Sequence, residues 1–244
     1  MRVLLLGTGG FHPSPTRQTA CVMLPDLGVM IDAGTAAFRA HEHVQSNRLD
    51  VFLSHAHLDH IVGLTYLLGL EHKGTPVRTR VHAKPQVLSA VQEHLLAPAL
   101  FPVSPVSEFI ELSDRCSLEA GGELSCFPLE HPGGSHGFRI EAGGKSLAYT
   151  SDTTRLSPES IEAIRGVDLL IHEAYFVEAQ RELAELTGHS TASDAAHAAV
   201  EAGASRLVMV HRDPRSDDAS AALAEAQAIF PAAEFGSDGD EIVI

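Results

Sequence analysis

Short apolar runs bounded by turn residues recur along this chain and read as strands. Residues 2–6, 20–24 and 28–32 form three such runs, the last two joined by the turn-rich tetrad Pro25-Asp26-Leu27-Gly28. A fourth, over 49–53, reads as a buried strand and leads through a polar stretch, Ser54 to His60, into an apolar helix over 61–68. Residues 35–44 read as a helix after Asp32-Ala33-Gly34, and a strand over 77–82 precedes a helix from 85 to about 96. Residues 107–150 alternate short strands with turns at Gly121-Gly122, Pro132-Gly133-Gly134 and Gly143-Gly144, which predicts an antiparallel sheet. The pattern then switches to strands near 168–171, 206–210 and 240–244, and helices near 158–165, 175–186, 192–202 and 217–229. Mixed sheets flanked by helices place the chain in the α/β (α+β) class. No linker or long repeat interrupts it, so residues 1–244 read as one domain.

Two stretches fit neither period. Gly7 to Arg17 is a glycine-rich loop without the Lys-Ser/Thr ending of a phosphate-binding loop, so it reads as a connection. Residues 95–106 are apolar but carry three prolines, which excludes a regular helix or a central strand. Such a segment either covers the core or offers an apolar wall to a substrate or to a second copy in a homodimer.

The formal net charge is −15, from 17 basic and 32 acidic side chains. That works against loose binding of nucleic acid, which needs Lys and Arg to displace counterions, and weighs less against a small anion. No window approaches the ~18 consecutive apolar residues of a membrane span, and the opening apolar run is too short for a signal peptide. Cys21, Cys116 and Cys126 are widely spaced and lack a C-x-x-C pair. They suit small buried fillers in a reducing cytoplasm.

The polar stretch carries the chemistry. His55 and His57 are two apart on extended backbone, so their imidazoles point to one side, while Asp59 and His60 fall where the chain turns and can aim at a second point. Imidazole and carboxylate without thiolate suit a divalent ion, Zn²⁺ first, with Mn²⁺ or Fe²⁺ as alternatives. Asp32 is either an acceptor that orients one of these histidines or a helix cap. His131, Asp152 and His211 each close a strand downstream, and strand ends along one sheet edge are where open sheets gather ligands. Glu173 follows the strand near 168–171, and His189 precedes the helix that Ser190 or Thr191 can cap. That helix carries the apolar stripe Ala195, Ala196, Ala199 and Val200. Glu173 is suited to hold His189 protonated, within reach of a phosphate or a leaving oxygen.

His55-x-His57-x-Asp59-His60 resembles the signature of the metallo-β-lactamase-fold hydrolases, which implies a four-layer αββα sandwich with metal at one edge. The segments Tyr149-Thr150-Ser151-Asp152-Thr153, His172-Glu173-Ala174 and Gly188-His189-Ser190-Thr191 resemble the ribonuclease Z and phosphodiesterase branch. Leu6-Gly7-Thr8-Gly9-Gly10, Pro13 and Arg17 match that branch too, as does His211-Arg212-Asp213-Pro214-Arg215, with Asp213 where it usually has Ser. The resemblance implies two divalent metals. His55, His57 and His131 would hold the first, Asp59, His60 and His211 the second, and Asp152 would bridge them. Two such ions lower the pKa of a shared water, so that a hydroxide and not a side chain is the nucleophile.

The branch's tRNA-processing members carry an inserted basic arm, whereas only a short acidic helix, 178–185, lies between His172 and His189 here. The sequence therefore points to a cytoplasmic phosphodiesterase acting on a small substrate, such as a cyclic nucleotide or a nucleotide-derived diester. A ribonuclease Z trimming tRNA 3′ ends, and a lactone or thioester hydrolase, are the alternatives. The substrate wall falls in loops such as 95–106 and 132–137, the latter containing His136.

Overall fold

The computed structural model describes residues 1–216 and 218–244, and the chain divides into two compact units. The first comprises Met1–Ser113 and Asp238–Val243. Its strands are β1 (Arg2–Gly7), β2 (Cys21–Leu24), β3 (Val29–Ile31), β4 (Arg48–Phe52), the small hairpin β5 (Glu71–His72) and β6 (Thr75–Pro76), β7 (Arg78–Ala83) and β8 (Glu108–Glu111). With the C-terminal strand Asp240–Val243, seven of these form one sheet in the order C-terminal strand, β1, β2, β3, β4, β7, β8. Pairing is antiparallel as far as β3 and parallel from β3 to β8. The expected antiparallel run over 107–150 therefore begins later than its alternation suggests. Its first strand, β8, joins this sheet parallel to β7.

Leu49, Val51 and Leu53 enter a core shared with Ala36, Ala37 and Ala40, and with Leu64 and Leu67. These come from two 3-10 helices, Thr35–Glu42 and Val62–Leu67, the second running on from the single-turn helix α1 (Leu58–Ile61). Three alanines on one element let it approach its neighbour closely, and both stretches wind more tightly than the helices their periodicity predicts. The helix from Pro85 is also shorter than expected: α2 (Pro85–Ala90) gives way to a π turn over Val91–Leu95. The proline-rich segment divides its labour. Leu96, Pro105 and Val106 are buried, whereas Leu100 (72% exposed) and Val103 (58%) face outward.

The second unit, Asp114–Ser237 with Ile244, holds β9 (Arg115–Ser117), β10 (Glu123–Leu129), β11 (Ser135–Ala142), β12 (Lys145–Thr150), β13 (Leu169–Glu173), β14 (Leu207–Val210) and β15 (Glu234–Phe235). Its seven-stranded sheet runs from β15 to β9 in descending order, antiparallel from β9 to β12 and parallel from β12 to β15. Its helices are α3 (Pro158–Ala163), α4 (Arg181–Thr187), α5 (Ala192–Ala202) and α6 (Ser220–Ile229). Ala195, Ala196, Ala198 and Ala199 of α5 pack in a core with Leu170, Leu207 and Met209. Val200, placed on the apolar stripe by the sequence pattern, is instead half exposed. The helix expected over 175–186 starts later, because Phe176 pairs with Thr191 in an isolated bridge, and it consists of a 3-10 turn, Glu178–Gln180, followed by α4. The helix expected over 217–229 is α6, and position 217 lies outside the described residues. Of the cysteines only Cys21 is buried; Cys116 and Cys126, expected as buried fillers, are partly exposed. Among the described residues no helix is long and apolar enough to cross a membrane.

On the opposite face of β4 from the helices, Asp50 gathers three partners. Arg48 donates from Nε and Nη2 to Oδ2 at 2.8 and 2.7 Å, and Arg80 Nε and His82 Nε2 donate to Oδ1 at 2.7 and 2.8 Å. The His82 ring stacks on Phe52 at 4.5 Å. Burial pushes the Asp50 carboxyl up, but the hydrogen bonds from His82, Arg80 and Arg48 outweigh it and hold the group well below the usual carboxylate range. A carboxylate with a depressed folded-state pKa contributes stability above its unfolded value and loses it as pH falls through the folded one. Asp50→Asn is therefore expected to lower the unfolding free energy by about 1–3 kcal/mol at pH 7. In urea melts, the gap from wild type should close as pH falls below about 4.

Candidate functional site

In the first unit β4 delivers the chain through Leu53 and Ser54 to His55 and His57, on extended backbone just before α1. The His55 and His57 rings lie 4.6 Å apart and the His55 and His60 rings 4.2 Å apart. Asp59 Oδ2 sits 3.5 Å from His60 Nε2 and accepts the backbone N–H of Phe11 at 2.8 Å. The four ligand-type side chains are thus gathered as their spacing predicts. Phe11 gives the glycine-rich loop more than a connecting role.

Asp32 is an orienting acceptor and not a helix cap. It is fully buried at the end of β3, with φ of 55°. Its Oδ1 accepts from Ser54 N at 2.8 Å, and its Oδ2 from Ser54 Oγ at 2.9 Å and His60 Nδ1 at 2.8 Å. The following helix has Gly34 at its N-cap, without a side-chain cap. Two glycines allow this closeness: a Cβ on Gly34 would overlap the Asp59 carbonyl oxygen, and one on Gly63 would overlap the carbonyl oxygen of Gly34.

In the second unit the strand ends carry the remaining residues. His131 lies two residues past β10, Asp152 two past β12, Glu173 closes β13 and His211 follows β14. Asp152 and His211 are almost fully buried. Asp152 turns one oxygen toward each histidine: Oδ1 lies 3.2 Å from His211 Nε2 and Oδ2 3.9 Å from His131 Nε2. His131 Nδ1 donates to the Gly188 carbonyl at 2.7 Å, which leaves the Nε2 lone pair on the Asp152 side. His211 holds the left-handed conformation at φ of 57°, a strained backbone of the kind that clusters at functional sites.

Glu173 is completely buried, and its Oε1 accepts from Thr153 N and from His189 Nδ1, both at 2.9 Å. The His189 ring lies near-parallel to His211 at 5.5 Å and to Tyr175 at 5.2 Å. Glu173, His189 and His211 each offer a donor atom within 4.8 Å of the others. Thr191, not Ser190, caps α5: it forms a reciprocal capping box with Asp194, which Arg181 Nη2 braces at 3.0 Å. Ser190 Oγ instead donates to the Thr153 carbonyl at 2.7 Å, tying the His189 segment to the chain just past Asp152. His136 is half-buried on β11, opposite Pro128.

Sequence reasoning missed Tyr175 and Ser54. The Tyr175 hydroxyl donates to Asp213 Oδ1 at 3.4 Å, and Arg215 donates to both Asp213 oxygens at 2.9 Å. Burial, followed by the Asp213 charge, pushes the Tyr175 phenol up to about 12. The only signal for Tyr175 was its place directly after His172-Glu173-Ala174. In both units the side chains offer imidazole nitrogens and carboxylate oxygens, and the outer atoms of His55, His60, His131 and His189 are hydrogen-bonded, a set that suits a divalent metal ion.

A family profile described as a beta-lactamase superfamily domain matches residues 28–212. Ribonuclease BN of Cronobacter sakazakii is 28% identical over 98% of this chain and 98% of its own length. Among solved structures, the metallo-beta-lactamase fold protein YhfI from Bacillus subtilis superposes with a TM-score of 0.85 at 20% identity, over 99% of each chain. Human tRNase Z, short form, gives 0.79 at 23% identity over 100% of this chain and 99% of its own. A diphosphatase from the PhnP family gives 0.75 at 20% identity over 99% and 97%. These likenesses show that the fold is of the metallo-β-lactamase type.

Gly188 offers a direct check on the second unit's geometry. At φ of 81° an added Cβ would overlap Pro132 and press on His131 Nδ1. Gly188→Ala should therefore lower stability by about 1–2 kcal/mol, read as a drop in Tm.

Proposed function

Because the chain belongs to the beta-lactamase superfamily of hydrolases, we propose that it is a binuclear metal-dependent phosphodiesterase working as a single domain over residues 1–244. In this reading His55, His57 and His131 hold one divalent ion, Asp59, His60 and His211 hold a second, and Asp152 bridges the two. Three observations support the ligand set: the gathering of the four motif side chains, the carboxylate–imidazole bond that orients His60, and the division of Asp152 between two histidines. Zinc fits the donor types first, with Mn²⁺ or Fe²⁺ as alternatives. When bound, two such ions supply Lewis acidity and lower the pKa of a shared water.

The observation that carries the phosphodiester reading is the pair of buried Glu173 and half-buried His189, hydrogen-bonded at 2.9 Å next to His211. Glu173 accepts from Nδ1 and so favours the protonated ring, whose Nε2–H is left to donate. As water adds to phosphorus and the ester P–O bond breaks, that proton passes to the leaving oxygen. A lactone or thioester makes less use of such a donor and stands as the third reading.

The substrate is a small phosphodiester, a cyclic nucleotide or a nucleotide-derived diester. The net charge of −15 supports this, because binding a long polyanion relies on Lys and Arg to displace counterions and acidic side chains outnumber them here. The alignment with the Cronobacter ribonuclease runs over 303 positions against 244 residues here, so that relative carries segments this chain lacks. Cleavage at tRNA 3′ ends is a second reading of equal standing, favoured by full-length likeness to that ribonuclease and to human tRNase Z. Three widely spaced cysteines without a C-x-x-C pair suit a cytoplasmic location, and the exposed Leu100 and Val103 suit a homodimer contact.

Protein stripped of metal and reloaded with Zn²⁺ or Mn²⁺ should hydrolyse bis-p-nitrophenyl phosphate. Asp152→Ala should abolish turnover and reduce bound metal. His189→Ala should slow turnover by roughly 10²–10⁴-fold with metal content unchanged; full turnover in this variant would sink the proton-donor role. Precursor tRNA cleaved at a rate that falls steeply with salt would select the ribonuclease reading. Two bound metals with no phosphodiester turnover would move the assignment to lactones and thioesters.

A further inference from the structure

We propose that Asp32, acting through Ser54, fixes the tautomer of His55 as well as that of His60, so that one buried carboxylate prepares a ligand for each of the two metals. The inference rests on the ligand assignment above and extends it to two residues that touch no substrate. Its basis is proton bookkeeping in a buried site: Asp32 and His60 are fully buried, Ser54 is 1% exposed and His55 2%.

An ionised carboxylate can only accept, so His60 Nδ1, 2.8 Å from Asp32 Oδ2, carries a proton. Its lone pair is then on Nε2, the atom that faces Asp59. Ser54 Oγ lies 2.9 Å from the same Asp32 oxygen, and a hydroxyl has a single proton. Were that proton turned toward His55, a hydroxyl lone pair would face a carboxylate oxygen at contact distance in a medium that screens poorly. The hydroxyl therefore donates to Asp32. Its contact with His55 Nδ1, also 2.9 Å, must then be one in which Ser54 accepts and the ring donates. His55 is left with its lone pair on Nε2. The charge of Asp32 reaches His60 directly and His55 through one hydroxyl.

The backbone holds this arrangement in place. Asp32 N donates to the Phe52 carbonyl at 2.9 Å, Ala33 N to the His60 carbonyl at 2.7 Å, and Ser54 N to Asp32 Oδ1 at 2.8 Å. The end of β3 and the β4–α1 connection are thus sewn together around the carboxylate, and the left-handed φ of Asp32 aims it there. Carboxylates behind metal-bound histidines set ring orientation and raise ligand basicity. Here one carboxylate serves two rings, so the two metal positions are coupled before either is filled.

Long-range ¹H–¹⁵N correlation of metal-free, ¹⁵N-histidine-labelled protein reads the tautomers directly. His55 and His60 should both carry the proton on Nδ1. Ser54→Ala should shift His55 toward the Nε2–H form and leave His60 unchanged, Ser54→Thr should restore His55, and Asp32→Asn should disturb both. Zn²⁺ titration against a competing chelator should show Ser54→Ala weakening one of two sites by roughly 10–100-fold. Asp32→Asn should weaken both. A wild-type His55 protonated at Nε2, or a Ser54→Ala protein with unchanged tautomers and affinities, would overturn the relay. The expected tautomers in a protein that binds no metal would support the relay and defeat the binuclear assignment instead.

Discussion

Imidazole and carboxylate groups buried without partners cost several kilocalories per mole, and that cost governs how both units end their parallel strands. Three chain segments that end at residues carrying such groups do so where another element presents a hydrogen-bonding group. β3 ends at Asp32, which takes three donors from the neighbouring connection. β13 ends at Glu173, which takes the backbone of Thr153 and the ring of His189. His131 is anchored by the Gly188 carbonyl. In these three cases a protein group holds the side chain from outside.

Parallel pairing makes this possible. Parallel strands deliver all their carboxyl ends to one edge, so side chains distant in sequence arrive side by side. In each sheet the antiparallel half supplies width and the parallel half supplies the ligand edge. The exception is His131, which leaves an antiparallel strand and needs the glycine at 188 to bring a carbonyl close enough to hold it.

Much of this was legible in the chain because the signals are local. A strand followed at once by His55-x-His57-x-Asp59-His60 constrains both direction and spacing, and the strand-end placement of His131, Asp152 and His211 needs only the end of an apolar run. What stayed illegible depends on tertiary contact. The two possibilities for Asp32 share one local sequence and are separated only by Ser54 and His60 closing on it. Tyr175 is an unremarkable residue until its ring meets His189. The direction of β8 is set by β7, and nothing in its own four residues encodes parallel pairing. The 3-10 winding of 35–42 and 62–67, and the backbone approach at Gly34 and Gly63, do not show in the helical period of either stretch.

The bridge between Phe176 and Thr191 draws together the two ends of the excursion that holds α4. Phe176 N donates to the Ser190 carbonyl and Ala192 N to the Phe176 carbonyl, so the excursion is closed at a narrow neck. Glu173 lies on one side of that neck and His189 close to the other; Glu173 holds the His189 ring, and the Ala184 carbonyl of α4 takes the His189 backbone N–H. The C-terminal end of α4 thus belongs to the frame around these histidines: Ala184 fixes the His189 backbone, and Gly188, which caps the helix, fixes the His131 ring.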